Sequence, residues 1–476
     1  MKSFIMLAVT LVACDLKAAE PLVWPQFRGP DNSGVAEGQH PPVEFGPDKN
    51  VKWKVAVPSG LSSPVVAGDV LVMTAFDGGK LYTIAYHRES GKEAWRAEAP
   101  AKQVEPYHAI EGSPAASTPA TDGQRIVSYF GSCGLFCYDL SGKELWRSEM
   151  PAAATAGNFG SGVSPILVDG LVVLVRDDTK DSKILAVDAS DGSTRWETKR
   201  RSIISYSTPV VWDTPQGKQV VVAGHARMNA YDLKTGAEKW SAAGVPSGCC
   251  ASPMTADGIL FFAGWSPGAG SDEEQAQMPT FDGMLKDLDA DKDGVLSREE
   301  AEKTFAGFFD NQDLNKDGRI TREEWTMLMK FMSEGESSAF AMKPGEAGKT
   351  EPQVLWKQTR GLPYVSSAIV YGGQLVMVKD GGIVTAYDAK TGKQAYQKRA
   401  AAGGKYYASP VAAGDHIYFT SLDGEITVLK AGSEQPEVAA QNASLEERIA
   451  ATPAIADNTL YVRTAGHLYA FAAAEK

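Results

Sequence analysis

A twelve-residue segment in the second half of the chain alternates oxygen-bearing side chains with other residues. Its carboxylates, one backbone carbonyl and one hydroxyl come from Asp289, Asp291, Asp293, Glu300, Val295 and Ser297. Oxygen-only ligands with several carboxylates select a hard cation, and seven-fold geometry with a bidentate Glu favours Ca²⁺ over Mg²⁺. The segment therefore predicts a calcium site, with Gly294 at its sharp turn.

A second segment, which begins 24 residues later, repeats this pattern. Its ligand positions are occupied by Asp313, Asn315, Asp317, Arg319 (through its carbonyl), Thr321 and Glu324. Both segments resemble the EF-hand calcium loop at every ligand position, and Leu296 and Ile320 stand where paired loops form a β-bridge. The resemblance implies two Ca²⁺ sites; the alternative is a pair of acidic loops that have lost metal binding.

Helical spacing surrounds the two loops, in a region that we place at 267–350. Phe281, Leu285 and Leu288 share one helix face. Because the loops are close together, one helix from Glu299 to about Phe309 is predicted to serve both, which leaves little room for the opening motion of calcium sensors. We therefore expect a structural or buffering calcium pair. Residues 267–349 hold 19 acidic and 10 basic side chains, so they carry most of the formal charge of −12.

The rest of the chain is built from a repeat that begins with a hydroxyl residue followed by Pro or Ala. The eight copies are Ser63-Pro64, Thr118-Pro119, Ser164-Pro165, Thr208-Pro209, Ser252-Pro253, Ser367-Ala368, Ser409-Pro410 and Thr452-Pro453. Their spacings are 55, 46, 44, 44, 115, 42 and 43 residues, and most match a four-stranded propeller blade of about 40–45 residues. The pattern predicts an all-β, eight-bladed β-propeller of four-stranded antiparallel blades, with the helical EF-hand insertion in blade five.

Each repeat ends in a turn with a characteristic chemistry. The best copy runs from Ala186 through Asp188 and Gly192 to Trp196, and similar copies end at Trp240 and Tyr396. This pattern resembles the tryptophan-docking motif of the pyrroloquinoline-quinone-like (PQQ-like) β-propeller superfamily. The resemblance covers residues 51–266 (blades one to five) and 351–474 (the rest of blade five to blade eight). We expect the strand that begins at Val51 to close the ring by pairing with the last repeat, and residues 20–50 to form an extended arm on the propeller surface.

The same resemblance raises the question of a catalytic axis. Quinoprotein dehydrogenases of this superfamily bind PQQ and Ca²⁺ at the propeller axis, against a disulfide between adjacent cysteines. Cys249 and Cys250 are adjacent and precede blade five, which is the best argument for cofactor binding. Against it, the blades are short, no Cys-x-x-Cys-His haem motif occurs, and no Asp base can be assigned together with the Glu and Asn ligands of a quinone-bound Ca²⁺. PQQ is therefore not favoured, and the alternative is that both cysteines are packing residues.

Aromatic residues occupy the same position ahead of several blades and are predicted to ring one mouth of the channel. The main candidates are Tyr107, His108, Tyr206, Tyr364 and Tyr407, with Phe159 and Tyr406 at equivalent places. Such a ring would bind a peptide, a sugar or a planar ligand, or would simply plug the axis.

The first nineteen residues have the pattern of an export signal. Lys2 precedes an apolar stretch from Phe4 to Ala13 that is too short to span a bilayer. Residues 1–19 are predicted to be a signal peptide; alternatively, Leu11 to Cys14 form a lipobox, and the mature chain starts at a lipidated Cys14. Both readings predict export to the periplasm, with membrane attachment only through that lipid.

These features imply a binding protein in place of an enzyme. The chain resembles the family of propeller lipoproteins of the outer-membrane β-barrel assembly machinery, which predicts a non-catalytic scaffold that binds a protein partner in the bacterial envelope. The partner is not identified, we expect a monomer, and the acidic balance argues against nucleic acid. The alternative is a PQQ-dependent oxidoreductase of an alcohol or sugar.

Overall fold

The computed structural model describes residues 24–267, 279–305, 309–313, 315, 317–346 and 349–473. Eight sheets follow one another around a ring, each with four antiparallel strands, and the sheet of blade seven has a fifth, parallel strand from the N-terminal arm; this confirms the eight-bladed propeller. The first strands of neighbouring blades contact one another, so the first strand of each blade faces the axis. No helix among the described residues is both long enough and apolar enough to cross a membrane.

Blades one to four are regular, and each takes its four strands from one continuous segment. Their strands are Val65–Ala67, Val70–Asp77, Lys80–His87 and Glu93–Ala99; Ala120–Thr121, Arg125–Phe130, Gly134–Asp139 and Glu144–Glu149; Ile166–Val168, Leu171–Arg176, Lys183–Asp188 and Thr194–Lys199; Val210–Thr214, Gly217–Ala223, Arg227–Asp232 and Glu238–Ala243. A short 3₁₀ helix, Ala156–Asn158, lies between blades two and three.

Blades five to eight complete the ring, and blades five and eight are not formed by one continuous segment. Their strands are Met254–Ala256, Ile259–Gly264, Ser338–Lys343 and Gln353–Gln358; Ile369–Tyr371, Gln374–Lys379, Ile383–Asp388 and Gln394–Arg399; Val411–Ala413, His416–Thr420, Ile426–Lys430 and Val438–Asn442; Ala454–Ala456, Thr459–Arg463, His467–Phe471 and Val51–Ala56. The fourth strand of blade eight is thus the N-terminal strand Val51–Ala56, antiparallel to His467–Phe471, as predicted for ring closure.

The hydroxyl residue of the repeat ties the blades together. In seven of the eight repeats its oxygen accepts a hydrogen bond of 2.9–3.2 Å from the backbone N–H of the matching residue in the preceding blade. Between blades eight and one, the buried Arg463 makes the connection. Its guanidinium donates to the carbonyl (3.0 Å) and the hydroxyl (2.7 Å) of Ser62 and to the carbonyl of Thr74 (3.0 Å). The repeated Ser/Thr is therefore a structural residue at the blade interfaces.

The closing tryptophans dock each blade on the next one. The Trp196 indole N–H donates to the carbonyl of Leu233 at 2.9 Å, and its ring covers Gly236, where an added Cβ would overlap it. Gly236 has φ of 70°, which suits glycine. The same pairing of an indole with the glycine of the next blade recurs at Trp53, Trp95, Trp146 and Trp356.

Residues 24–34, the first part of the N-terminal arm, lie in the centre of the propeller, so the predicted position on its surface was wrong for this part. Trp24 and Arg28 are fully buried. Arg28 donates to the carbonyl of Ala368 (2.5 Å) at the start of blade six, and Asn32 donates to that of Pro209 (2.6 Å) at the start of blade four. Polar side chains that satisfy backbone carbonyls near the axis explain why the arm is buried without an apolar pattern.

The arm then leaves the axis along blade seven. A 3₁₀ helix, Pro30–Asn32, is followed by the strand Val35–Ala36, which pairs in parallel with Val411–Ala413, the first strand of that blade. Further along, Phe45 packs between the rings of Tyr418 and Phe471 before the chain enters blade eight. The arm therefore obstructs the axial channel and also contacts blades seven and eight.

The insertion emerges between the second and third strands of blade five. It contains the helices Phe281–Leu288, Arg298–Phe305, Phe309–Gln312 and Arg322–Ser333. The prediction that it extends to 350 was wrong, because Ser338–Lys343 is the third strand of blade five and pairs with Ile259–Gly264. Residues 306–308 lie outside the described part of the chain, so the single shared helix from Glu299 to about Phe309 stays a prediction.

Candidate functional site

The first acidic loop is folded around its own ligand residues. One carboxylate oxygen from each of Asp289, Asp291 and Asp293 lies within 4.8 Å of the other two. The Glu300 carboxylate, at the other end of the loop, accepts hydrogen bonds from the N–H groups of Ala290 (2.8 Å) and Ser297 (2.9 Å). These bonds, first of all those from Ser297, lower the pKa of Glu300, so it is ionised and ready to bind a cation.

The second loop has similar internal hydrogen bonds. The Asp313 carboxylate accepts from the N–H groups of Asp317 (3.1 Å) and Gly318 (2.8 Å), and Glu324 accepts from those of Asn315 (3.2 Å) and Thr321 (2.9 Å). Thr321 and Glu324 also form a capping box at the start of the helix Arg322–Ser333. The last ligand of this loop is therefore fixed in the first turn of a twelve-residue helix.

The two loops form one unit. The segments Leu296–Ser297 and Arg319–Ile320 pair as a two-stranded antiparallel sheet, which is the bridge expected of paired EF-hands. Leu296 and Ile320 are fully buried in the core of the insertion. The Arg319 guanidinium lies 3.4 Å from the Asp293 carboxylate, so a ligand of the first loop is also held by a cation from the second.

The donor set fits Ca²⁺. The Asp289 Oδ1 atom is buried and has no hydrogen-bond partner within the described part of the chain, although a buried carboxylate oxygen ordinarily requires one. An ion bound by the first loop would satisfy it. Asp289, Asp291, Asp293, Val295, Ser297 and Glu300, with Asp313, Asn315, Asp317, Arg319, Thr321 and Glu324, remain the predicted ligands.

The upper face of the propeller, defined as the face that carries the loops between blades, also carries the insertion. In an antiparallel four-stranded blade, the turn between strands two and three lies at the same end as the loop to the next blade. The insertion replaces this turn in blade five. The predicted aromatic ring and the cysteine pair belong to the loops of the same face.

The structure joins part of the predicted ring in one cluster. His108 stacks on Phe159 with centroids 5.4 Å apart, and Phe159 meets the ring of Tyr206 edge-on at 6.3 Å. Burial raises the pKa of Tyr206 well above its usual value, and the nearby Cys250 and Tyr364 raise it further. The Tyr206 hydroxyl is buried without a hydrogen-bond partner among the described residues. These three aromatic side chains thus form one cluster among the loops of the upper face.

Tyr407 and Tyr406 have separate roles. The Tyr407 hydroxyl donates to the Glu111 carboxylate at 2.9 Å. This bond connects the loop before blade seven to the loop before blade two. Tyr406 is buried and donates to the carbonyl of Ala402 (2.6 Å), so its hydroxyl is used within its own loop. Tyr107 packs edge-on against Phe76 of blade one.

The cysteine pair lies beside Tyr206 at the upper mouth of the axis, which is called the axial funnel here. Cys249 is 1 % exposed and Cys250 is partly exposed, and both are free thiols among the described residues. Burial raises the pKa of both thiols, that of Cys250 to about 12, so neither is a reactive thiolate near neutral pH. Cys14 lies outside the described residues.

Two features of the funnel were not found from the sequence. Residues 106–112, the lid loop, cross the upper mouth: Arg448 donates to the carbonyl of Ile110, and Glu111 contacts Tyr407. The spacing of 55 residues between the first two repeats was the available signal, since this loop is longer than the others. Glu105, just before it, is buried and accepts from the Ser161 hydroxyl (2.7 Å); burial raises its pKa to about 7.

A family model described as outer membrane protein assembly factor BamB matches residues 79–248 and 347–476, more than half of the chain. The chain belongs to the BamB family. An EF-hand model also matches residues 281–303 and 305–329, the two halves of the insertion. The BamB-like propeller therefore carries an added EF-hand unit.

A curated relative resembles less than half of this chain. The outer membrane protein assembly factor BamB of Burkholderia pseudomallei (strain K96243) is 26 % identical over 207 residues, 42 % of this chain and 48 % of the relative. The chain thus matches only about half the length of this relative.

Solved structures share the fold over nearly the whole chain. BamB from Moraxella catarrhalis has a TM-score of 0.55 at 14 % identity, over 89 % of this chain and 97 % of that one. A europium-containing methanol dehydrogenase has a TM-score of 0.56 at 11 % identity, over 95 % of this chain and 98 % of that one. At such identities these structures show the propeller fold alone, which scaffold proteins and dehydrogenases share.

Proposed function

We propose that this BamB-family propeller is an exported, non-catalytic scaffold of the bacterial cell envelope that binds a protein partner on its upper face. The observation that carries the proposal is a group of exposed apolar side chains. Nine large apolar residues are exposed among the described residues, and four of them lie on loops of this face: Tyr107, Ile110, Ile203 and Tyr364. Exposed apolar side chains on loops of the same face favour protein binding there.

A capture experiment with charged variants tests this surface. The mature protein, in millimolar Ca²⁺, is used to capture envelope proteins, and the same capture is made with an Ile110→Asp/Ile203→Asp variant. We expect the captured partner to be lost from this variant, because two carboxylates would have to be desolvated at the interface. Leu145→Asp is the matched control, since Leu145 is 45 % exposed but lies on the outer strand of blade two. Equal capture by all three proteins would refute the upper-face assignment.

We also propose that both loops of the insertion bind Ca²⁺, with dissociation constants of about 10⁻⁴–10⁻³ M, which suffice outside the cell. The orphaned Asp289 Oδ1 and the internal hydrogen bonds of both loops support this. Calorimetry at millimolar Ca²⁺ is expected to show two sites in the wild type and none in Asp289→Ala/Asp313→Ala. If the wild type gives no heat of binding, the calcium sites are refuted.

Export by the N-terminal segment is part of the same proposal, with the periplasm as its destination. The lipidated form is tested by metabolic labelling with a fatty acid. Label on the wild type and its loss in Cys14→Ala would establish the anchor, whereas an unlabelled protein cleaved after Ala18 or Ala19 would establish the soluble form.

The second candidate is a quinone-dependent dehydrogenase, which the adjacent cysteines and the fold shared with methanol dehydrogenase favour. We expect no quinone to be retained, because the buried first part of the arm lies in the axis and Tyr206 and Tyr364 pack beside Cys250. Incubation with PQQ and Ca²⁺, followed by gel filtration and assay of dye reduction with alcohols, tests this. Quinone that co-elutes with the wild type but not with Cys249→Ser/Cys250→Ser would establish the enzyme.

A further inference from the structure

The last helix of the insertion ends against the propeller. This helix, Arg322–Ser333, is called the exit helix here. The Ser247 hydroxyl lies within hydrogen-bond distance of the carbonyls of Phe331 (2.9 Å) and Met332 (3.1 Å) in its last turn. Just beyond the helix, the N–H of Glu336 donates to the carbonyl of Val245 at 2.9 Å. The end of the exit helix is therefore fixed to the loop between blades four and five.

A second contact joins the same helix end to blade four. The His225 ring lies parallel to that of Phe331, with centroids 4.1 Å apart and an angle of 9° between the planes. The His225 Nε2 atom is 3.1 Å from a carboxylate oxygen of Glu334. His225 belongs to the turn between the second and third strands of blade four, on the upper face.

The other end of the exit helix belongs to the second calcium loop. Glu324, the last ligand of that loop, is the third residue of the helix and forms the capping box with Thr321. Glu324 and Phe331 are seven residues apart, which corresponds to about 10 Å along an α-helix. A single short helix therefore joins a predicted Ca²⁺ ligand to the propeller.

The loop held by the exit helix is part of the funnel wall. Residues 244–252, the funnel loop, contain Ser247 at one end and the cysteine pair at the other. The carbonyl of Cys249 accepts from the N–H of Tyr206 at 2.9 Å, and Cys250 lies beside Tyr206 and Tyr364. Ser247 is thus only two residues from Cys249, which forms part of the wall of the funnel.

From these contacts we infer that Ca²⁺ in the second loop controls access to the axial funnel, by fixing the exit helix and through it the funnel loop. Without the ion, the carboxylates of Asp313, Asp317 and Glu324 repel one another in the loop, which loosens the first turn of the helix. With the ion, Glu324 is held by the metal, and the last turn of the helix keeps Ser247 and His225 in place. The inference rests on the proposed calcium sites.

Alkylation of Cys250 in the full mature chain measures this coupling. The rate is followed by mass spectrometry of the peptide that contains Cys250, with a small maleimide, in EGTA and in millimolar Ca²⁺. We expect Ca²⁺ to slow the labelling of Cys250 about fivefold, because this partly exposed thiol becomes fully accessible only when the funnel loop opens locally. Cys137, fully buried in blade two, serves as the internal control whose rate stays the same.

Two variants separate coupling from calcium binding. His225→Ala/Ser247→Ala removes the anchors but no predicted ligand, so we expect calorimetry to show Ca²⁺ binding while Cys250 is labelled equally fast with and without the ion. His87→Ala/Ser90→Ala is the matched control, since it removes an exposed His and Ser from blade one and should keep the Ca²⁺ protection.

The outcomes distinguish the coupling from the sites on which it rests. Ca²⁺ binding by the wild type without protection of Cys250 would overturn the coupling alone. Protection that persists in His225→Ala/Ser247→Ala would also overturn it, because the exit helix would not be the connection. A wild type that binds no Ca²⁺ would overturn both proposals.

Discussion

The interface between blades three and four differs from the one between blades four and five, although the repeat supplies a closing tryptophan to both. At the first, the Trp196 indole donates to the carbonyl of Leu233 in the next blade and covers Gly236. At the second, the Trp240 indole donates to the Gln219 side chain of its own blade at 2.8 Å. The tryptophan is retained, but its hydrogen bond no longer joins two blades.

The sequence of blade five explains the difference. Its third and fourth strands are joined by residues 344–352, which lack the Asp-to-Thr-Gly turn on which a tryptophan docks. The indole N–H of Trp240 is buried and needs an acceptor, so it uses Gln219. Contacts from the insertion, above all His225 on Phe331, connect the blades in addition. An inserted domain can thus take over part of a repeat interface while the repeat residue stays in place.

The largest expected effect is at the regular interface. Trp196→Ala is expected to lower the free energy of unfolding by about 3–5 kcal/mol, as for other large-to-small changes in a packed core. Urea denaturation followed by circular dichroism measures it. A loss below about 1 kcal/mol would mean that the docked ring contributes little there.

The buried acid Glu105, in the loop between the regular blades one and two, makes the stability of the protein depend on pH. The pKa of Glu105 is about 7 in the folded protein against 4.5 as the reference, so the folded state binds the proton more tightly. Its contribution to stability is complete below pH 4.5 and is lost as the pH rises through 7, by about 3 kcal/mol in all.

The test compares the wild type with Glu105→Gln at pH 5 and pH 8. The free energy of unfolding of the wild type relative to this variant should be lower at pH 8 than at pH 5. Glu98→Gln, which changes an exposed acid of blade one, should show the same pH dependence as the wild type. A constant difference between wild type and Glu105→Gln would contradict the burial of an acid with a raised pKa.

Two glycines with similar backbone angles isolate the docking contact. Gly236 has φ of 70° and Gly258 has φ of 75°, but a Cβ at Gly236 would overlap the Trp196 ring, whereas nothing described lies within 4 Å of one at Gly258. Both changes to Ala introduce the strain of a positive φ, and only Gly236→Ala adds a clash. We expect Gly236→Ala to be less stable by about 2 kcal/mol more, again by urea denaturation. Equal effects would show that the ring can shift without cost.

The smallest effect is expected where the insertion supports the blades. His225→Ala removes one stacked ring and a half-exposed contact with Glu334, so it should cost about 1 kcal/mol in Ca²⁺. Differential scanning calorimetry in Ca²⁺ and in EGTA measures it, with His87→Ala as the control. A cost as large as that of Trp196→Ala would mean that the insertion is the main connection between blades four and five.

The structural roles of residues that belong to a sequence repeat or match a known loop pattern could be predicted from the sequence. The roles of the other residues could not. Eight repeats and two complete EF-hand loops predicted the blades and the insertion, because each residue type has a fixed geometric reason in those patterns. Ser338–Lys343 was assigned to the insertion, since this short strand follows directly after helical spacing. The buried arm was missed because Arg28 and Asn32 are polar and aperiodic, and their partners are distant backbone carbonyls.

The site was predictable to the same extent. The calcium loops are local in sequence, so their ligand positions follow from spacing alone. Glu105 was missed because its burial depends on Ser161 in the next loop, which no spacing reveals. The coupling through His225 and Phe331 joins residues 106 positions apart and becomes visible only in three dimensions.

Ring closure has a consequence for how the chain folds. Trp53 pairs with Ala470, 417 residues later, so the last sheet cannot form until the end of the chain has arrived. Contacts of such sequence separation are slow to form, because the intervening chain must first be ordered or its loop closed. Until then the third strand of blade eight presents an open edge that can pair with other chains. The newly made protein therefore depends on protection from aggregation for as long as this final pairing takes.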